Sequence, residues 1–304
     1  MSGLIIKNIT KTYKGAKNKA NDNISLSLSS GSLVAFTGHN GAGKTTLLNQ
    51  IMGNVKPDSG DIIFENTSLV KKPDFARHNI SIMPQLHAPL EGVSVKEAIT
   101  AILKIRGFKS SELSKILRNT LVNLDIEKWE SVTGENLSGG LRRLTSFAMA
   151  TSSPQKVLLL DEPTNDVDPL RRKLIWRRMK ELARSGRIVV VVTHNLLEVE
   201  QYADRYVVFN KGTVVQDSMT GESVNGSRNT LIVDPVSFDI IKDELPAYLE
   251  YQYIEEEGRL VLNLSNDQIN DSVAWLVRMI EEKKVLSYRL APLSLEMSYG
   301  GYTK

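Results

Sequence analysis

The chain has no cysteine in 304 residues, so neither disulfides nor thiolate metal sites are open to it, which fits a reducing compartment. Long apolar runs are missing as well. The densest, Val157 to Leu160 and Ile188 to Val192, fall far short of the roughly 20 residues that cross a bilayer as a helix. Met1 to Thr10 lacks the charged start, apolar stretch and small-residue cleavage site of a signal peptide. Aromatics are scarce, at 6%, and are not interleaved with basic residues, which argues against a nucleic-acid surface. No repeat and no low-complexity tract is present.

What is present is ordinary globular composition, 41% hydrophobic and 24% charged, at a length that suggests one large domain and a smaller one. The net charge of +3 hides an asymmetry. Residues 1–224 carry 30 Lys+Arg against 22 Asp+Glu, and residues 225–304 carry 8 against 13. A basic part followed by an acidic one predicts two units with different surfaces, divided at about residue 220.

Short apolar–polar alternations predict strands at Leu4 to Ile9 and Ile24 to Leu28, then a buried strand at Leu33 to Thr37. A Gly-rich turn follows, then a helix from Lys44 to about Met52. Val95 to Arg106 and Ser114 to Leu124 read as helices, the first opened by a capping box of Ser94 and Glu97. Strands at Lys156 to Leu160, Ile188 to Thr193 and Arg205 to Phe209, each paired with a helical stretch, predict an α/β fold around a largely parallel sheet. Asp217 to Asn229, rich in Ser, Gly and Asn, reads as a linker. Beyond it come strand Thr230 to Val233, helix Val236 to Leu245, strand Leu249 to Ile254, a turn at Glu256 to Gly258, strand Leu260 to Leu264, helix Asp267 to Glu282 and strand Val285 to Leu290. That βαββαβ order is the split-βαβ plan.

The sharpest signal is Gly38-His39-Asn40-Gly41-Ala42-Gly43-Lys44-Thr45, which fits G-x-x-x-x-G-K-[ST] at every fixed position, after a strand and opening a helix. Glycines let successive backbone amides turn inward around phosphate oxygens, and the helix N-terminus adds positive potential. Lys44 is placed to reach the terminal phosphates of a nucleotide, Thr45 to offer its hydroxyl to Mg²⁺, and Thr46 to stay within reach of the phosphates. Val157 to Leu160 is an apolar strand ending in Asp161 and Glu162. Asp161 is placed to hold the Mg²⁺ shell, and Glu162 to polarise an attacking water.

Between these motifs lies Leu137-Ser138-Gly139-Gly140-Leu141. A Ser-Gly-Gly that opens a helix upstream of an apolar Asp-Glu strand resembles the signature of the ATP-binding cassette (ABC) ATPases, and other marks of that family follow in order. Tyr13 resembles the aromatic that stacks on adenine. Gln85 resembles the glutamine that links Mg²⁺ and the attacking water to a membrane partner. Asn165 to Asp168 resembles the loop that ends in Asp, and His194 the switch histidine. The resemblance covers about residues 4 to 220 and implies a P-loop NTPase domain with a mixed sheet and a helical insert at about residues 86 to 145. His78 and His87 read as surface residues.

The resemblance further implies that two such domains pair head to tail, as a homodimer or a mixed dimer, with Ser138, Gly139 and Gly140 of one capping the nucleotide of the other. There are two departures. Leu141 stands where Gln is commonest, and Leu144 stands where the family usually has Arg or Lys, which implies an altered contact between the signature helix and its neighbouring loop. The resemblance also implies a separately encoded transmembrane permease as partner, and so a place on the cytoplasmic face of the cell membrane. The ending Ala291-Pro292-Leu293-Ser294-Leu295-Glu296 resembles the extension of bacterial exporter ATPases, which points to export. The rival reading is a soluble ABC ATPase acting on ribosomes or nucleic acid; a single phosphate loop and no cysteine speak against it.

Overall fold

A computed structural model describes residues 3–86, 90–220, 229–255, 258–265 and 267–292. The chain divides into two units, Met1–Thr220 and Gly221–Lys304.

The first unit is built from β1 (Gly3–Lys11), β2 (Asn21–Ser29), β3 (Leu33–Gly38), α1 (Lys44–Met52), β4 (Ser59–Phe64), β5 (Thr67–Ser68), α2 (Pro73–Asn79), β6 (Ile80–Met83), α3 (Val95–Ile105), α4 (Ser110–Asn123), α5 (Gly139–Thr151), β7 (Val157–Asp161), α6 (Pro169–Arg184), β8 (Ile188–Val192), α7 (Leu196–Tyr202), β9 (Arg205–Asn210) and β10 (Thr213–Met219). Strands β9-β3-β8-β7-β6 run parallel, and β10 pairs antiparallel on the β9 edge. A second, antiparallel sheet has the order β2-β1-β4-β5.

Every residue of β7 and β8 is buried, which explains why both read as unbroken apolar runs rather than alternations: a parallel strand covered on both faces has no solvent side. Helix α1 places Leu47, Leu48 and Ile51 in one core with Leu4, Ile6 and Leu28 of the antiparallel sheet and Val34, Phe36, Val190 and Val207 of the parallel one. That burial anchors the helix whose first turn carries Lys44 and Thr45. At about 25 cal/mol per Å² of apolar surface, each fully buried Leu or Ile stabilises by about 1.5–3 kcal/mol.

The parallel register levels the strand ends. Phe36 pairs with Val192, Val192 with Asp161 and Leu160 with Met83, so the loops after β3, β8, β7 and β6 leave the sheet along one edge. Ligands bind to open α/β sheets at that carboxyl edge.

Helices α3, α4 and α5 form the helical segment. The Ser94–Glu97 capping box is present: the Ser94 amide donates to Glu97 Oε2 at 2.9 Å, and the Glu97 amide to Ser94 Oγ at 3.4 Å.

The second unit comprises β11 (Asn229–Pro235), α8 (Phe238–Ile241), β12 (Glu250–Ile254), β13 (Arg259–Leu264), α9 (Ile269–Glu281) and β14 (Val285–Pro292). Its sheet order β12-β13-β11-β14, antiparallel throughout, is the split-βαβ arrangement. Leu231, Val233, Leu260 and Leu262 from the strands pack against Trp275, Leu276 and Met279 of α9.

Several expectations are corrected. Asp217 is not in a linker: it lies in β10, an exposed edge strand whose Gln, Asp and Ser residues imitate a loop, and it pairs with Arg205 across the hairpin at 2.6 Å. Asn229 begins β11, and residues 221–228 of the proposed linker lie outside the described residues. The helix read at Val236 to Leu245 shrinks to Phe238–Ile241 followed by a 3₁₀ turn at Lys242–Glu244, with Pro246 close behind. Helix α4 starts at Ser110 rather than Ser114, because the Lys109 amide donates to the Glu112 carboxylate at 2.9 Å and closes the first turn. Strands β4 to β6 and helix α2 were not expected; each is too short to show a period. His87, Glu256, Glu257 and the tail Leu293 to Glu296 lie outside the described residues.

Candidate functional site

A cleft of about 230 Å³ at the carboxyl edge of the parallel sheet is lined by Ala20, Asn40 to Thr46, Gln85, Asp161, Glu162 and Val192. The loop after β3 has the tight form that a phosphate cradle needs. Gly43 adopts φ 102°, and a Cβ there would stand 2.1 Å from the Ala20 carbonyl oxygen, so only glycine fits. The buried Asn21 side chain donates to the Gly43 carbonyl at 3.1 Å and braces the turn. His39 lies outside the cleft lining: its Nδ1 is 2.8 Å from the Asn40 carbonyl oxygen and its Nε2 3.0 Å from Asn210 Oδ1, tying the loop to the β9–β10 hairpin.

Lys44 is buried and donates to the Gly38 and His39 carbonyls at 2.5 and 3.0 Å, spanning the loop from inside. Burial holds its ammonium below the usual lysine range, and Glu162 and Asp161 oppose that shift. Thr45 Oγ1 donates to Asp161 Oδ2 at 2.8 Å. Burial pushes the Asp161 carboxyl above its usual range; the Thr45 hydrogen bond opposes this, Glu162 adds to it, and Lys44 and Arg143 oppose it by their charge.

Glu162 is a buried acid in left-handed backbone, φ 51°, a conformation that costs a non-glycine residue about 1–3 kcal/mol and gathers at functional positions. Its amide donates to the Val192 carbonyl at 2.9 Å, which holds the turn. His194 Nδ1 lies 3.0 Å from Glu162 Oε1. The other oxygen, Oε2, is buried and has no partner among the described residues. An orphaned carboxylate oxygen beside a polar cleft costs free energy unless something outside the chain occupies it.

The sequence-predicted residues divide into two groups. Asn40 to Thr46, Gln85, Asp161 and Glu162 line one cleft, with Gly38 and His194 beside it through Lys44 and Glu162. Ser138, Gly139, Gly140 and Asp168 lie outside that lining. Ser138 caps α5, its Oγ accepting from the Leu141 amide at 3.3 Å, and Asp168 caps α6. Gly140 packs against the Asn165–Asp168 loop, where a Cβ would stand 2.4 Å from the Asp166 carbonyl oxygen. Tyr13 is 44% exposed and is not in the cleft lining; the Lys11 ammonium sits 5.9 Å from its ring centroid.

Two supporting residues were missed. Asn21 carries no sequence signal, being one Asn among several. Arg143, one residue before Leu144, carries no local signal either. The structure buries Leu144 as a core residue, and Arg143 Nη1 makes the contact to the loop, donating to the Gln85 carbonyl in a short hydrogen bond.

A family profile described as ABC transporter matches residues 21–165, which takes in the phosphate loop, the signature and the Asp161–Glu162 strand end. That segment belongs to the ABC family. The chain is 34% identical over 213 residues to the mouse ABC-type organic anion transporter ABCA8B, and 35% identical over 213 residues to the human ATP-binding cassette sub-family A member 9. Each match covers 68% of this chain but 13% of the relative, so the chain spans about an eighth of the length of these curated relatives.

Among solved structures, an ATP-binding cassette captured as a dimer in a post-hydrolysis state with ADP and Pi is similar at 25% identity and TM-score 0.66, over 72% of this chain and all of that one. An ATP-binding subunit of an ABC transporter has the same fold, with TM-score 0.66 at 23% identity over 72% of this chain and 95% of that one. The first unit is thus an ABC ATPase domain. Among the described residues, no helix is long and apolar enough to cross a membrane.

Proposed function

We propose that this chain binds and hydrolyses ATP as a dimer and drives a transmembrane partner. The observation that carries the reading is the Glu162 carboxylate: one oxygen is held by His194, and the other is buried, without a partner among the described residues, at a cleft that Lys44, Thr45 and Asp161 also line. The loop amides and the Lys44 ammonium bind the β- and γ-phosphates. The oxygens of Thr45, Asp161 and Gln85 suit Mg²⁺, which is held through one or two carboxylates with neutral oxygens, waters and phosphate oxygens for the rest. Bound there, the ion would neutralise charge on the phosphates.

Glu162 Oε2 accepts a proton as a water oxygen attacks the γ-phosphorus. The bond from that phosphorus to the bridging oxygen breaks, and ADP leaves with the electron pair. With His194 donating to Oε1, Oε2 stays aimed as the acceptor.

Ser138, Gly139 and Gly140, at the N-terminus of α5, offer free amides and a hydroxyl. Their position outside the chain's own cleft supports the reading that they cap the nucleotide of a second copy. The similar cassette solved as a dimer supports it too.

The membrane partner, in this reading a separate permease, docks beside Gln85. A cleft of about 510 Å³ there is lined by Arg77, Ile82, Pro84, Ile102, Ile105 and Arg106, with Ile105 78% exposed. An exposed apolar residue in a cleft that two arginines also line suits a short amphipathic segment with an acidic residue. The working direction is export, and the chain sits on the cytoplasmic face of the cell membrane. Affinity purification from solubilised membranes tests the partnership: the reading expects a polytopic membrane protein to co-purify and to be lost from an Ile105→Glu variant. Recovery with ribosomes or nucleic acid instead would overturn it.

A further inference from the structure

The two surfaces that each copy is proposed to offer the other are fastened together inside a single chain. Gly140, on the signature helix α5, lies against the Asp166 backbone with no room for a side chain. The second fastening is Arg171. Its Nη1 donates to Asp168 Oδ2 at 3.0 Å, its Nη2 to Asp125 Oδ2 at 2.8 Å, and its Nε to the Asp125 carbonyl at 3.2 Å. The same guanidinium carbon lies 4.8 Å from the centroid of the Trp129 ring. Asp125 follows α4 in left-handed backbone, and Trp129 is in the turn beyond, so both belong to the helical segment that also carries Ser138. Asp168 ends the loop that leads into α6.

We infer that Arg171 is a positioning residue that holds the Asn165–Asp168 loop to the helical segment, so that Ser138 and Asp168 reach a second copy of the chain as one unit. The inference rests on the dimeric reading above.

An isolated exposed ion pair contributes little, but this guanidinium differs in three respects. Its side chain is only 19% exposed, it spends three nitrogens on two carboxylates and a carbonyl, and it stacks on an indole. That combination needs a planar fork, which lysine lacks. Two neighbouring contacts show that the staple is separate from the local fold. Asp168 Oδ1 accepts from the backbone amide of residue 171 at 3.1 Å, so α6 keeps its cap when the side chain is changed. Arg172 Nε donates to the Val167 carbonyl at 2.7 Å and fixes the loop's other side. What the Arg171 side chain adds is the link to Asp125 and Trp129. Because one chain's Asp168 and Ser138 meet the other chain at once, a loose link lets either arrive misplaced, and docking weakens without loss of nucleotide affinity in the single chain.

The test uses the full chain carrying Glu162→Gln, which traps the ATP-bound dimer, and adds Arg171→Ala, Arg171→Lys, Asp125→Asn, or Arg171→Ala with Asp125→Asn. ATP affinity of the monomer, the ATP-driven dimerisation constant and the thermal midpoint are measured for each. Arg171→Ala should weaken dimerisation by about tenfold, the scale of coupling within one hydrogen-bond network, with monomer ATP affinity unchanged. Arg171→Lys and Asp125→Asn should weaken it in the same direction, and the double variant should do little more than Arg171→Ala alone. In the Glu162 parent, kcat should fall with KM unchanged. Dimerisation equal to the parent's, or a loss of ATP affinity and thermal midpoint in step with it, would overturn the role. If the Glu162→Gln parent itself forms no ATP-dependent dimer, the dimeric reading fails, and this inference with it.

Discussion

Thr45 Oγ1 donates to Asp161 Oδ2 at 2.8 Å, joining the phosphate loop to the end of β7 across 116 positions of sequence. Both side chains carry oxygens of the kind a divalent ion takes, the role proposed for them above. Replacing Asp161 by Asn should leave ATP binding without Mg²⁺ within about threefold and lower Mg²⁺-dependent binding by about tenfold or more, since an amide keeps the hydrogen-bond geometry but loses the charge. Nucleotide titration with and without Mg²⁺ checks this.

The pH range of Mg²⁺–ATP binding should be narrow at both ends. Asp161 must be ionised, and its carboxyl is raised, so binding falls as pH drops through a value above the ordinary carboxylate range. Lys44 must be protonated, and its ammonium is lowered, so binding also falls as pH rises through a value below the ordinary lysine range. Isothermal titration across pH 4 to 10 would show the two limbs. A flat profile out to the ordinary carboxylate and lysine ranges would contradict the buried site.

Arg143→Ala removes the donor to the Gln85 carbonyl and a positive charge that lowers the Asp161 carboxyl. The acid limb of Mg²⁺–ATP binding should therefore move to higher pH, and turnover should fall by about tenfold as the Gln85 loop loses its brace. The cost in stability should be about 1–3 kcal/mol, since the Gln85 carbonyl loses a charged partner. Denaturant unfolding and the binding profile, measured on one preparation, separate the two effects.

A chain ending near Gly226 should keep ATP affinity within about twofold. Every residue lining the cleft lies in the unit Met1–Thr220, and the second unit has its own core around Leu231, Leu262 and Leu276. Loss of binding on truncation would mean that the acidic part belongs to the nucleotide fold.

The chemistry was more legible than the architecture. The phosphate loop, Asp161 and Glu162 sit on local patterns, a Gly-rich turn after an apolar strand and an acid pair ending another, and these survive without tertiary context. The parallel sheet could be read because β7 and β8 are buried on both faces. Strand β10 could not: Gln216, Asp217 and Ser218 lie on an edge strand with no fully buried residue, where strand and loop have the same composition. Arg143 and Arg171 were equally opaque. Each acts across 46 or 58 positions of sequence through a carbonyl or carboxylate that no local pattern names. Tyr13 was legible only through the resemblance: it lies exposed, outside the lining of the phosphate cleft, and its proposed role is to stack on the adenine.

The central claim is that Glu162 Oε2 takes the proton of the attacking water at a site completed by a second copy. Glu162→Gln keeps the shape of the side chain and removes the base. Sedimentation of that variant with ATP, run alongside phosphate release, is the most direct measurement. The account predicts a stable ATP-dependent dimer with turnover reduced by at least about a hundredfold, within the range assigned to a positioned general base. Phosphate release at the parent's rate, or a variant that stays monomeric in saturating ATP, would contradict it.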